Sequence, residues 1–421
     1  MQTNIATPTT PNNTIWLWNL FATAVGAGIL YLPINAGING IWPIVLIAVF
    51  TLPMVYLAHR NVSRVVLSAS KDSTNINDII YEHFSEKFCK LFAMSYFLAN
   101  YPLILIYSVG LTNTISSIIT SSLKITYIPK PLISLVILSI FFIITTTKPN
   151  VVRKVTECLA LPLAASLFIL SIYLIPKWNL DYFLIIPTGF DFFETLWLTI
   201  PVVIFTFNFL PAVSTFTFYY MANHPSPQAA TQTVLLRTCW LLFFFMLFFV
   251  FSCVLSVPPE QMKIAKENNL NILVHMGNIF DDPILYVVSS LIAIIAMSGA
   301  FLGCFFGVKE SIIGLIEQKL HKHKLSIQAY NRLALLLIFG PSYLFCILDT
   351  NILTFMSVLS GPIIACLLFL FPVYAMYKIP AMAKYRVGLQ NKVNNYFIIA
   401  VGIISCSAIL YSFKYLTFFL R

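Results

Sequence analysis

The chain is 421 residues long, with 59% hydrophobic and 10% charged residues, where a soluble domain carries roughly 25% charged residues. That balance excludes a soluble globular protein, and the length suits about ten to twelve membrane spans joined by short loops. The formal net charge of +10 does not mark a nucleic-acid binder, because no basic stripe interleaved with aromatics lies on a soluble face.

Residues 1–14, MQTNIATPTTPNNT, contain no lysine or arginine and no small-residue cleavage site, so the stretch reads as a short cytoplasmic tail. Apolar runs then predict eleven transmembrane helices in an all-α integral membrane protein. They cover 15–34, 41–58, 90–115, 131–147, 155–175, 192–221, 234–257, 284–308, 332–348, 350–375 and 396–418, with the weakest separation around Asp349. With the N-terminus inside, only Lys124, Lys130, Lys177, Lys263, Lys266, Lys414 and Arg421 of the 25 basic residues fall outside. The basic excess therefore reports orientation, the positive-inside pattern. The eight cysteines show no CxxC or metal-ligand spacing, so they read as packing residues and no disulfide framework is expected.

Helix starts at 15, 41, 90, 131 and 155 are matched by starts at 192, 234, 284, 332 and 350. Five helices per set is odd, so the second set runs inverted relative to the first. This divides the chain into a first repeat (15–175), a second, inverted repeat (192–375) and an eleventh helix with a short C-terminus (396–421). Secondary transporters are often built this way, with the site near the midplane between the repeats. Helix breakers fall at matching depth in the first helix of each set. Gly26 and Gly28 lower the cost of unwinding the first, and Asn208 and Pro211 do the same in "FNFLP" of the sixth. Freed backbone groups in lipid cost several kcal/mol each unless a cavity or ligand satisfies them.

The stretches "TAVGAGILYLPINAG", "HRNVSRVVLS", "NYPLILIYSVGLTNT", "LTIPVVIFTFNFLPAVSTF" and "SGPIIACLLFLFPVYAMYKIPAMAKYR" resemble the hydroxy and aromatic amino acid permeases. These belong to the amino acid-polyamine-organocation superfamily, and the serine/threonine branch looks closest. The resemblance runs from about residue 15 to 420. It implies a leucine-transporter-like fold of two inverted five-helix repeats plus one helix, and cation-coupled amino acid uptake across a bacterial inner membrane, usually driven by protons. Two regions depart from that branch. Its sixth helix typically reads Asn-His-Ser-Pro, where this chain has Asn208-Phe209-Leu210-Pro211, and its eighth tends to carry a Lys and a His, where this chain places Gly299 and Cys304. An apolar pocket discriminates poorly for a hydroxyl, so a larger apolar or aromatic amino acid stands beside serine and threonine as the expected substrate.

An amino acid zwitterion needs a donor end and an acceptor end. Free N–H groups of Ala27, Gly28 and Ile29 are expected to take the carboxylate, and carbonyls ending the first half-helix and near Phe205 and Thr206 the ammonium. Asn208 is the best polar side chain in the sixth helix, with an interhelical hydrogen bond as its bland alternative. Tyr101 and Tyr107 could close the pocket or simply pack, and the resemblance implies that Phe209 and Leu210 line its side-chain end. Gly299, Gly303 and Gly307 read as a small packing face on the eighth helix. Beside them, the resemblance suggests a cation at Ser298 with carbonyls of Thr23 and Gly26, Thr23 also bordering the substrate. No Asp, Glu, Lys or His is expected deep in a span: Glu157, Glu194, Glu310 and Asp349 all lie at helix ends. The coupling ion is left as proton or sodium, with no cofactor. A membrane enzyme would show paired carboxylates, HExxH or a Ser-Lys dyad in its spans, and none occurs. The partners implied are the amino acid and the bilayer, with no obligatory protein partner; the alternative is an amino acid sensor retaining the transporter fold.

Overall fold

The computed structural model describes residues 13–70, 76–121, 128–146, 149–184, 189–280, 283–319, 326–408 and 410. Residues 1–12 of the expected tail and 411–421 of the expected last segment lie outside the described residues, as do the side chains of Glu157 and Glu310. Helices dominate the described residues, which contain no strand. Every apolar window carries helix. By length and apolarity, six single helices can cross a membrane, and two further pairs qualify if each bent pair is one span.

The first bent pair is α1 (Asn13–Ala24) and α2 (Ala27–Gly37), which meet at 54°. The second is α8 (Phe190–Thr206) and α9 (Leu210–Asn223), at 41°. Both breaks fall on the breakers expected from sequence: Val25-Gly26 in one case, and Phe207 to Phe209 just ahead of Pro211 in the other.

Between the pairs run α3 (Trp42–Val66), the short α4 (Ile76–His83), α5 (Glu86–Ser121), α6 (Lys130–Thr145) and α7 (Pro149–Leu174). After them come α10 (Pro227–Ser256), the two short helices α11 (Pro259–Glu267) and α12 (Ile272–Ile279), α13 (Pro283–Lys319) and α14 (Ile327–Ile347). The last two helices among the described residues are α15 (Ile352–Lys378) and α16 (Leu389–Ser407). At 1.5 Å per residue, the 30 residues of α10 reach about 45 Å, ample for a hydrocarbon core of about 30 Å. Two π-helical turns, Met356–Ser360 and Cys366–Leu370, interrupt α15. Gly361 lies between them, where a Cβ would stand 2.5 Å from the Pro201 carbonyl oxygen, so only glycine lets α15 cross α8 this closely.

The second helix departs from its expected window. The run was expected to end at 58, ahead of the polar residues His59, Asn61, Ser63 and Arg64, yet α3 continues through Val66 with all four buried. They are buried because α9, α10 and α15 pack along that end of α3. Partners replace water there: Ser63 and Thr217 of α9 share a hydrogen bond of 3.0 Å, and the Arg64 guanidinium lies 4.1 Å from the centre of the Tyr385 ring.

At the opposite end, Asp349 adopts φ +48° in the turn between α14 and α15. Its carboxylate accepts hydrogen bonds from Lys130 Nζ, from Asn113 Nδ2 at 2.9 Å and from Asn269 Nδ2 at 3.2 Å. Burial pushes this carboxyl up, but those bonds and the Lys130 charge outweigh it and hold it below its ordinary value. The weak boundary seen in the sequence is thus a clamp joining α5, α6 and the α11–α12 turn.

Candidate functional site

α2 packs along α8, and polar pairs fix the contact: Asn35 Nδ2 donates to Thr199 Oγ1 at 3.1 Å, and Asn39 to Thr195. This alignment brings the two breaks together. Gly28 makes the approach possible, since a Cβ there would stand 2.7 Å from Thr206 Cα and 2.8 Å from its hydroxyl. Gly26 is the N-cap of α2 in an extended conformation (φ −137°, ψ −154°), and no side chain caps the helix. The N–H groups of Ala27, Gly28 and Ile29 therefore have no intrahelical acceptor, at the electropositive end of the helix.

Across from them, α8 closes with Phe207 N–H donating to Val203 O and Asn208 N–H to Phe205 O. The Asn208 side chain then starts α9, its Oδ1 accepting from Leu210 N–H at 3.0 Å. That bond closes an Asx turn just ahead of Phe209, the N-cap of α9, and fixes which way the amide points. Asn208 itself lines the space between the breaks.

That space is a cavity of about 30 Å³, room for roughly two water molecules. Thr23, Ala24, Gly26 and Gly28 line it from α1 and α2; Phe205, Asn208 and Pro211 from the second break; Leu103 and Tyr107 from α5; and Cys304 from α13. Five of the residues expected to bind substrate thus share one wall system: Thr23, Gly26, Gly28, Phe205 and Asn208. Ile29, also expected to bind, is not among the lining residues, and the Ala27 side chain lies outside the described residues. Thr206 is turned into its own helix, its hydroxyl donating to Val202 O at 2.7 Å.

The remaining expectations fall elsewhere. Tyr101 is directed at α14, its hydroxyl donating to Leu337 O at 2.6 Å. Tyr107, six residues on and so about 120° around the helix, is the tyrosine on the wall. Phe209 and Leu210 do not line the cavity, and Phe209 is instead fully buried against α3. Ser298, expected to share a cation site with Thr23 and Gly26, does not line this cavity. The α13 face toward the break carries Ala300, whose Cβ lies 3.2 Å from a Cβ built on Gly26, and Cys304. Ser298 sits about 200° around the helix from Ala300, and the Thr23 hydroxyl is committed to Asn19 O. Gly299 and Gly307 have nothing within 4 Å of a would-be Cβ, so they are not a packing face in this structure.

His59 lies just outside the second span expected from the sequence, yet it belongs to α3. It is completely buried at the level of the second break. Its Nε2 accepts the Phe209 N–H at 3.2 Å, its Nδ1 lies 2.8 Å from Val55 O, and its ring stacks on Phe209 with centroids 3.6 Å apart. The signal was present in "AHRN", just past the assigned end of the second span.

A larger hollow of about 540 Å³ lies at the far end of α2, lined among others by Asn39, Glu260, Lys263, Lys266 and Glu267. Burial lowers the Lys266 ammonium below its ordinary value against an opposing pull from Glu194. This hollow is away from the breaks and their exposed backbone.

The profile of the tryptophan/tyrosine permease family matches residues 18–409. The serine transporter SdaC of Escherichia coli (strain K12) is 36% identical over 409 residues, covering 95% of this chain and 94% of SdaC. The threonine/serine transporter TdcC of Escherichia fergusonii is 32% identical over 425 residues, covering 95% of each. A crystal structure of MhsT in complex with L-phenylalanine superposes with a TM-score of 0.57 over 97% of this chain and 99% of MhsT, at 12% identity. At that identity the match speaks for the fold alone, which is leucine-transporter-like. The chain belongs to the tryptophan/tyrosine permease family, and is a multi-pass membrane permease and not an enzyme.

Proposed function

We propose that this permease is a symporter that moves a small neutral amino acid of the serine or threonine type into the cytoplasm, driven by a proton or sodium gradient. One observation carries the reading: the two helix breaks meet across one small cavity, with Thr23, Ala24, Gly26 and Gly28 on one side and Phe205, Asn208 and Pro211 on the other. The carboxylate would sit on the N–H groups of Ala27, Gly28 and Ile29. The ammonium would take carbonyls left open at the ends of α1 and α8. Asn208 and Tyr107 are the polar side chains placed to meet a hydroxyl.

Two features favour a small substrate over a large apolar one. The cavity takes about two waters as it stands, and Phe209 and Leu210, the apolar replacements in the sixth-helix motif, do not line it. SdaC and TdcC are named as serine and threonine/serine transporters, which agrees with this choice. The same reading places the chain in the bacterial inner membrane with eleven spans, two inverted five-helix repeats and a cytoplasmic N-terminus.

Purified protein in liposomes should accumulate labelled serine or threonine, in preference to phenylalanine, under an inward proton or sodium gradient imposed separately. Failure to accumulate any neutral amino acid under either gradient would overturn the proposal.

A further inference from the structure

The turn between α8 and α9 is held from behind by a side chain outside the cavity wall. We propose that His59 is the proton-coupling group of this permease: neutral, it clamps the α8–α9 turn, and on taking up a proton it releases it. This rests on the symport reading above and names its ion.

Both ring nitrogens are assigned by their partners. A carbonyl oxygen only accepts, so Nδ1, facing Val55 O at 2.8 Å, carries the hydrogen. A backbone N–H only donates, so Nε2, facing Phe209 N–H at 3.2 Å, carries the lone pair. The ring is therefore neutral and fixed in one tautomer. Its stacking on Phe209 and complete burial leave it no room to turn over.

Protonation forms an Nε2–H bond, the proton coming from hydronium in water that reaches the turn, and leaves the ring with one positive charge. The new N–H then points at another N–H. Two donors cannot share that contact, so Phe209 N–H loses its acceptor, while the Nδ1–H bond to Val55 persists. A charged His59 and a closed turn exclude one another. Beyond the turn, α9 stays tied to α3 by the Ser63–Thr217 bond, so release frees the hinge and not the helix.

Asn208 connects this event to the substrate. It lies on the cavity wall, directly precedes Phe209, and accepts the Leu210 N–H at the start of α9. A ligand pulling on Asn208 moves the turn that His59 holds, and linkage requires the effect to run both ways. That reciprocity is what symport needs.

Among the described residues, no charged side chain hydrogen-bonds the ring. On its own helix Arg60 and Arg64 turn away, over Tyr56 and Tyr385. The elements packed against α3 carry Tyr31 on α2, Asp78, Tyr81, Glu82 and His83 on α4, and Glu194 on α8. They also carry Tyr219 and Tyr220 on α9, Arg237, Cys239 and Cys253 on α10, and Cys366, Tyr374, Tyr377 and Lys378 on α15. Lys384, Tyr385 and Arg386 follow α15, with Lys392, Tyr396 and Cys406 on α16. Among the described residues, the ring's hydrogen-bond partners are Val55 and Phe209 alone, so no carboxylate balances its charge while the turn is closed.

The test compares wild type with His59→Gln, whose amide oxygen can accept Phe209 N–H but cannot take a proton. Counterflow of unlabelled for labelled serine, which needs no net proton movement, should persist in both. Accumulation driven by a pH gradient should occur in wild type and be lost in the variant, and serine affinity should vary several-fold between pH 5.5 and 8 only in wild type. Equal pH-driven accumulation by both overturns the proposal, as does a wild type driven by sodium alone, and either leaves the carrier reading standing. Absence of serine counterflow in wild type would instead strike the carrier reading itself. If His59→Gln fails to fold, nitrogen-15 NMR of histidine-labelled wild type decides. The neutral Nδ1–H imidazole should become doubly protonated as pH falls, at a pH that moves on adding serine. An imidazole that stays neutral from pH 8 to 5 with and without serine overturns the proposal.

Discussion

Replacing Gly28 with alanine probes the contact on which the site depends. The added Cβ would stand 2.7 Å from Thr206 Cα, 2.8 Å from its hydroxyl and 3.0 Å from Phe205 Cδ1. Carbon atoms rest about 3.5–4.0 Å apart, so α2 and the end of α8 must separate by roughly 1 Å. The nearest obstacle is backbone and cannot rotate aside. Overpacking of this kind costs about 1–3 kcal/mol. Because the strain falls between the two segments proposed to hold the zwitterion, the same energy should appear in binding, as a roughly 5- to 150-fold loss of serine affinity. Binding of labelled serine to detergent-purified protein, with a thermal melt on the same sample, measures both. Gly299→Ala is the control: nothing lies within 4 Å of its Cβ, and a change within about 0.5 kcal/mol is expected. A Gly28→Ala protein that melts and binds like wild type would refute the close-approach argument.

Gly26→Leu should abolish uptake while the protein still elutes as a folded monodisperse species, because its side chain starts 3.2 Å from Ala300 Cβ and 3.3 Å from the Tyr107 hydroxyl and must fill the cavity; normal uptake would contradict this. Asn208→Ala removes the Asx-turn hydrogen bond from Leu210 N–H, worth about 1 kcal/mol in a thermal melt, and should weaken serine binding by more than that loss accounts for. The Asp349 carboxyl is held below its ordinary value of 3.8. Its clamp therefore contributes fully above pH 3.8 and is lost as pH falls through the lowered value. Wild type should lose melting temperature as pH falls below 3.8 by a step that Asp349→Asn lacks, with a size well under about 1 kcal/mol because the carboxylate is partly exposed.

The broken helices were legible in the sequence because they are written in residues with unusual backbones. Gly26, Gly28 and Pro211 weaken a helix wherever it packs, and their matching depth in two windows supplied the pairing. Side-chain direction was not legible. Tyr101 and Tyr107 look alike in a list, and only the rotation of α5 against α1 and α14 separates the one on the cavity from the one bound to Leu337. The same holds for Ser298, which helical rotation turns away from the face that carries Ala300 and Cys304. His59 was missed for a different reason. A polar run normally ends a span, but here α9, α10 and α15 bury it, and hydropathy along one helix does not register what neighbouring helices cover. Phe209, read as a pocket residue, proved to be the stacking partner of that hidden histidine.

A structure of the protein with serine bound tests the central claim most directly. Serine is expected between the two breaks, its carboxylate on the N–H groups of Ala27 to Ile29 and its ammonium on the carbonyls ending α1 and α8. Serine found instead in the larger hollow at Glu260 and Lys266, with the inter-break cavity closed as it is here, would contradict it.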